Sequence, residues 1–181
     1  MSDTRSALMA FTQRYCQGWQ QQSGHGPVSS DLIGLPSPCI VTSDDHQVEW
    51  HPVPCEPATD LSAVERALEI TLQPDAHQFW CSQYAGDMAA RREGNPLTLL
   101  QAWSECDFQR AQENIIGHLV MQRRLKISPT VFLATTDDEL TIISLCNLTG
   151  EVVLEKLGTP HRTTLARGLS DFLQQLDPVT A

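Results

Sequence analysis

Thr130-Val-Phe-Leu-Ala-Thr135, Leu140-Thr-Ile-Ile-Ser-Leu-Cys146 and Glu151-Val-Val-Leu-Glu-Lys-Leu157 follow one another with only Thr136-Asp-Asp-Glu139 and Asn147-Leu-Thr-Gly150 between them. Each run is rich in β-branched and apolar residues, and each spacer is polar and turn-forming. That pattern predicts three strands in an antiparallel meander. Upstream, Ser104-Glu-Cys-Asp107 places an acid three positions after a serine, a helix start. The helix is expected to run to about Leu125, with Phe108, Ile115, Ile116 and Leu119 on its inner face. Glu105 and Asp107 lie in its first turn and Arg123, Arg124 and Lys126 at its end, which suits the helix dipole. Downstream, Leu165, Leu169, Phe172, Leu173 and Leu176 are spaced for one helix over 162–176, closed by Pro178. Strands bracketed by helices give an α+β class, a mostly antiparallel sheet with helices packed on it.

The same reading extends to the N-terminus. Leu8, Phe11, Tyr15 and Trp19 form an apolar stripe on a helix over 4–22, capped by Asp3 or Ser2. Gly24 and Gly26-Pro27 end it, and a Gly- and Pro-rich connector runs to Pro38. Cys39–Thr42 and Gln47–Trp50 predict a hairpin, after which Pro52, Pro54 and Pro57 stop strand pairing. A helix is expected over 61–71, capped by Asp60 or Thr59, with Pro74 ending the element. The aromatic run His77–Tyr84 reads as a strand, with Met88–Arg92 returning as its partner after Gly86, and Leu97–Trp103 as a further strand. No internal repeat or long linker divides the chain, so residues 1–181 are expected to form a single domain.

The 181 residues are 41% apolar, enough for a core, and carry 22 acidic against 12 basic side chains, a formal charge of −10. Nucleic acid and anionic lipid both need clustered Lys and Arg, so neither is an expected partner. No apolar run reaches the ~18 residues of a membrane span, and the first residues do not resemble a secretory signal. The chain therefore reads as cytosolic, and its six scattered cysteines as reduced thiols. The acids are concentrated: residues 1–60 hold seven against Arg5 and Arg14 alone.

Motifs for chemistry are sparse. No C-x-x-C or H-x-x-x-H pair offers metal ligands, and no G-x-S-x-G turn offers a nucleophile. Asp137-Asp138-Glu139 is a hairpin turn, and Gly24-His-Gly26 lacks the strand and the Lys of a phosphate loop. His118 reads as a hydrogen-bonded structural histidine. Trp50, Trp80 and Trp103 read as core indoles, or as the lining of a groove. Gln83-Tyr-Ala-Gly-Asp87-Met88 is the least routine stretch: Gly86 suits a close backbone approach or an unusual φ, and the stretch reads as a β-bulge or as a sheet-edge platform presenting Asp87 to a concave surface.

Gln83-Tyr-Ala-Gly-Asp-Met88, Leu99-Leu-Gln-Ala-Trp-Ser-Glu105, Gln112-Glu-Asn-Ile-Ile-Gly-His-Leu119 and Cys146-Asn-Leu-Thr-Gly-Glu-Val152 resemble, in order and spacing, segments of the Syd family. The likeness runs from Phe11-Thr-Gln-Arg-Tyr15 to Leu176 and takes in Pro36-Ser-Pro-Cys39 and Val64-Glu-Arg-Ala67. The resemblance implies a compact, SUKH-like fold. It implies a non-catalytic bacterial protein without a cofactor that binds SecY, the translocase channel subunit, and through it attaches loosely to the cytoplasmic face of the inner membrane. It also implies a regulatory or quality-control role, with an acidic concave surface that receives basic SecY loops.

Charge agrees with this in one respect. Cytoplasmic loops of membrane proteins carry excess Lys and Arg, so an acidic protein repelled by anionic lipid is still drawn to those loops. The residues expected to make the contact are Asp87, Glu65, Glu69, Glu105, Asp107 and Glu113, all within or beside the family-like segments. Two alternatives stand beside this reading. One is a SUKH-type immunity protein neutralising a basic nuclease toxin. The other is a small enzyme using a Cys–His or carboxylate pair.

Overall fold

The meander forms as its sequence dictates, and the rest of the sheet is built on it. The computed structural model describes residues 3–56 and 59–180; Ser2 and Pro57, offered above as a cap and a strand breaker, lie outside them. In chain order the elements are α1 (Thr4–Ser23), β1 (Val28–Ser29), β2 (Ile40–Ser43), β3 (Val48–Trp50), β4 (Val53–Pro54), α2 (Ser62–Leu68), α3 (Pro74–Cys81), β5 (Gln83–Tyr84), β6 (Met88–Arg92) and β7 (Asn95–Leu99). They continue with α4 (Glu105–Leu125), β8 (Thr130–Thr136), β9 (Thr141–Cys146), β10 (Val152–Lys156), β11 (Arg162–Ala166), α5 (Leu169–Gln174) and β12 (Asp177–Pro178).

Seven strands form one antiparallel sheet in the order β11-β10-β9-β8-β7-β6-β12. The sheet curls into a half-barrel. Arg92 on β6 reaches across to donate to the Leu165 carbonyl on β11, and its Nε donates to Gln175 at 2.8 Å. Helices α1 and α5 pack together, α2 packs on α4, and α4 lies on β8. Phe11, Trp50, Phe79, Met88, Ile115 and Phe172 are among the largest fully buried side chains. The fold is α+β, as expected.

Several expectations are corrected. The aromatic run 77–84 is not a strand: Pro74–Cys81 is helix, with Pro74 at its first position, where a missing N–H costs nothing. Pro74 thus starts an element instead of ending one. Ala76, Phe79 and Trp80 are its buried residues, a helical spacing that the β-propensity of aromatic residues concealed. Only Gln83–Tyr84 is extended, and it pairs with Val53–Pro54, so Pro52 and Pro54 do not stop pairing there. Strand β6 instead pairs with β7 and β12.

Residues 162–176 are not one helix. Arg162–Ala166 is a strand on the open edge of β10, and α5 begins only after Gly168. Leu169, Phe172 and Leu173 keep the helical spacing; the β-branched Thr163 and Thr164 go to the sheet. Pro178, read as a helix stop, lies in the short edge strand β12, where a proline is tolerated. Two smaller differences remain. The helix expected over 61–71 stops at Leu68 because Glu69 takes a left-handed φ of 51°. The strand expected over 97–103 ends at Leu99, and the chain then leaves the sheet.

Under α4 lies a buried polar knot. Glu155 is 2% exposed and accepts from Thr130 Oγ1 at 2.7 Å, with Arg162 Nη2 at 3.8 Å. Gln122 Nε2 donates to Thr130 Oγ1 at 2.8 Å, and His118 Nε2 lies 2.9 Å from that hydroxyl, the structural role expected of His118. Desolvation lowers the His118 pKa, against the pull of Glu155.

Candidate functional site: an acidic, aromatic-backed hollow

A hollow of about 910 Å³ opens between the start of α4, the segment 85–87, the connector after β1 and the side of α1. Its backing is aromatic. Trp50 of β3 stacks on Tyr15 of α1 with ring centroids 6.2 Å apart and meets Trp103 edge-on at 6.4 Å. The Trp50 indole lies so close to Gly86 that a Cβ there would sit 2.7 Å from two ring atoms. Gly86 is therefore required by close approach and not by a positive φ, which decides between the two readings of that glycine.

The connector forms one wall and is tied in place. Trp103 Nε1 donates to the Leu35 carbonyl at 3.0 Å, and Ser37 Oγ donates to the Trp103 carbonyl at 2.6 Å. Trp80 also satisfies its indole, donating to the Phe132 carbonyl at 3.2 Å. Trp103 thus serves both readings given above: it is buried, and it lines the hollow.

Four carboxylates line the hollow: Asp31, Asp87, Glu105 and Asp107. Asp87 lies between β5 and β6, where the chain turns at Gly86, and its Oδ1 accepts from the Gln101 N–H at 2.9 Å. The chain leaves the sheet after Leu99, and this bond holds the departing backbone. The Asp87 side chain is exposed in the hollow, yet the protein around it removes enough water to raise its pKa to about 6. The Gln101 bond opposes the rise, and the Asp107 charge adds to it. Asp107 is placed by the helix start: Ser104 Oγ accepts from its N–H at 3.2 Å, and its own Oδ2 accepts from the Trp103 N–H at 2.8 Å. Glu105, the first residue of α4 and two before Asp107, is exposed.

The ion pairs among the described residues join His77 to Glu65, Arg92 to Glu93 and Arg162 to Glu155, and none involves a carboxylate of the hollow. Arg110 is the single basic residue on its lining.

Of the six residues expected to make contact, Asp87, Glu105 and Asp107 come together here, and Glu65, Glu69 and Glu113 do not line the hollow. Glu65 is engaged internally: its Oε2 accepts from the Leu72 N–H at 2.8 Å and lies 3.4 Å from His77 Nε2. Glu69 ends α2, and Glu113 is exposed further along α4. Asp31, Tyr15 and the connector residues Leu32, Leu35 and Pro36 line the hollow but are not among the site residues expected from sequence. Asp31 sits in an irregular stretch without a motif, and only the fold carries it to the first turn of α4.

All six cysteines are free thiols. Among the described residues no helix is long and apolar enough to cross a membrane.

Comparison with known proteins gives a consistent answer. The family model described as Syd protein (SUKH-2) matches residues 5–178. Protein Syd of Cronobacter sakazakii is 60% identical over 178 residues, covering 98% of each chain. Protein Syd of Yersinia pseudotuberculosis is 58% identical over 174 residues, covering 96% of this chain and 95% of its own. Protein Syd of Pectobacterium carotovorum is 57% identical over 174 residues, 96% of each. With a family match over nearly its whole length and relatives of this identity, the chain belongs to the Syd family.

Proposed function

We propose that this single-domain protein is a non-catalytic regulator or quality-control factor of protein translocation. It docks its acidic hollow on the basic cytoplasmic loops of SecY, with preference for uncomplexed or abnormal SecY. The observation that carries this reading is the set of four carboxylates around one cavity, none engaged in an internal ion pair. Such a surface attracts Lys- and Arg-rich loops and repels anionic lipid, so the protein reaches the cytoplasmic side of the inner membrane through its partner. The same charge disfavours nucleic acid. No cofactor is needed for docking. Asp87, Glu105 and Asp107 are the contact residues we favour, joined by Asp31.

Single exposed ion pairs contribute ~0–1 kcal/mol, so the docking uses several at once. Binding to SecY-containing inner-membrane vesicles, measured against salt, tests the reading. Screening shortens from ~10 Å at 0.1 M to ~3 Å at 1 M, so capture falls steeply over that range. Capture that ignores salt refutes the electrostatic mechanism, and absence of SecY from the captured material refutes the partner. Tight binding of a soluble basic nuclease in place of SecY moves the protein to the immunity class.

A further inference from the structure

The hollow carries Glu105 and Asp107 on the side of α4, and its connector side is mainly apolar apart from Asp31. Leu32, Leu35, Pro36 and Pro38 line that second side, and Leu35 is 45% exposed. A large apolar side chain left in water beside a preformed cavity is available to a ligand. This wall is not a loose flap, because Trp103 holds Leu35 and Ser37 through two hydrogen bonds and is itself 5% exposed. A cavity of about 910 Å³ is also far larger than one ammonium or guanidinium group; it has room for several adjoining side chains.

We propose that the hollow reads a mixed motif and not charge alone: a peptide segment in which an Arg or Lys reaches the Asp87 and Asp107 carboxylates while an adjoining large apolar residue packs on Leu32 and Leu35. The inference rests on the reading of the hollow as the docking site for basic loops. The occupant follows from complementarity: uncompensated acids select the cation, and the apolar connector selects what must stand next to it. Purely polar basic segments satisfy one wall and leave the other wet. The motif therefore discriminates among the many Lys- and Arg-rich loops that a negative surface by itself treats alike.

Two short fluorescent peptides of equal charge test this, one with Arg-Leu-Arg at its centre and the other with Arg-Ser-Arg. Their binding to the full chain is measured by anisotropy from about 0.1 M to about 1 M salt. The leucine peptide is expected to bind about tenfold or more tightly and to keep part of that advantage at high salt. Leu35→Ser, at an exposed side chain whose carbonyl bond to Trp103 is kept, is expected to remove the advantage without changing the thermal melt. Equal affinities for the two peptides, with no effect of Leu35→Ser, overturn the mixed motif while salt-sensitive binding of both upholds charge docking. Binding of neither peptide also overturns it, and SecY capture measured in parallel then shows whether the docking reading falls as well.

Discussion

Replacing Gly86 by alanine adds one methyl group where the fold has least room. The new Cβ would stand 2.7 Å from Trp50 Cε2 and Nε1, against the 3.4 Å at which ordinary contact begins, so about 0.7 Å must be found. The indole cannot yield it easily. Trp50 is 2% exposed, stacked on Tyr15 and set edge-on to Trp103. Overfilling a packed core costs ~1–3 kcal/mol. In a domain of this size each kcal/mol moves Tm by ~2–4 °C, so a fall of ~2–12 °C is expected. Urea unfolding followed by tryptophan fluorescence measures the loss directly. SecY capture is expected to fall as well, because Trp50 and Asp87 sit on the two sides of Gly86 in the same lining. Gly117→Ala is the control. That glycine lies within α4 with nothing within 4 Å of an added Cβ, so alanine is expected to stabilise by ~1 kcal/mol. A Gly86→Ala protein as stable as the parent would refute the packing argument.

Asp87→Asn should raise stability and weaken capture together. The folded pKa of about 6 lies above the ordinary 3.8, so the native state holds this proton more tightly than the unfolded chain. The parent's stability therefore falls as pH rises through the window from 3.8 to about 6. That shift corresponds to at most ~3 kcal/mol, and solvent in the hollow screens it to ~1 kcal/mol or less. Urea titrations at pH 4 and pH 7.5 should show the variant gaining only at the higher pH; a gain at both would contradict the assignment. Glu65→Ala should do the reverse, costing ~1–2 kcal/mol through the orphaned Leu72 N–H while leaving SecY capture intact. His77 Nδ1 accepts from the Leu61 N–H, so its Nε2–H faces Glu65 and loses a partner too. Glu155→Ala should cost ~3 kcal/mol or more by leaving the largely buried Arg162 guanidinium without its carboxylate and the Thr130 hydroxyl without the acceptor at 2.7 Å, read as a drop in the urea midpoint.

The sequence by itself determined what depends on neighbours along the chain. The meander over 130–157 needs only β-branched runs and polar turns, and α1 and α4 carry caps and stripes within their own segments. The helix start at Ser104 also fixed Asp107 and Glu105 before any fold was known. Elements whose local preference was outvoted were not legible. His77–Cys81 is aromatic yet helical, because Pro74 starts a turn and Ala76, Phe79 and Trp80 then meet the core together. Arg162–Ala166 continues a helical pattern yet joins the sheet, because β10 offers an unpaired edge and Gly168 breaks the run.

The site divides in the same way. Total charge and the oddity of Ala85-Gly86-Asp87 were visible, and three of the six carboxylates expected there do gather at one hollow. Which three depended on tertiary structure. Glu65 looks like any surface acid in sequence, but the turn after α2 brings the Leu72 N–H and His77 to it and uses it internally. Asp31 looks like connector, but Trp103 pins the neighbouring residues Leu35 and Ser37 against the start of α4 and makes that stretch a wall. Charge is a sum over residues and can be counted along a chain; a cavity is a relation among segments far apart in it, and only long-range packing fixes which side chains share one.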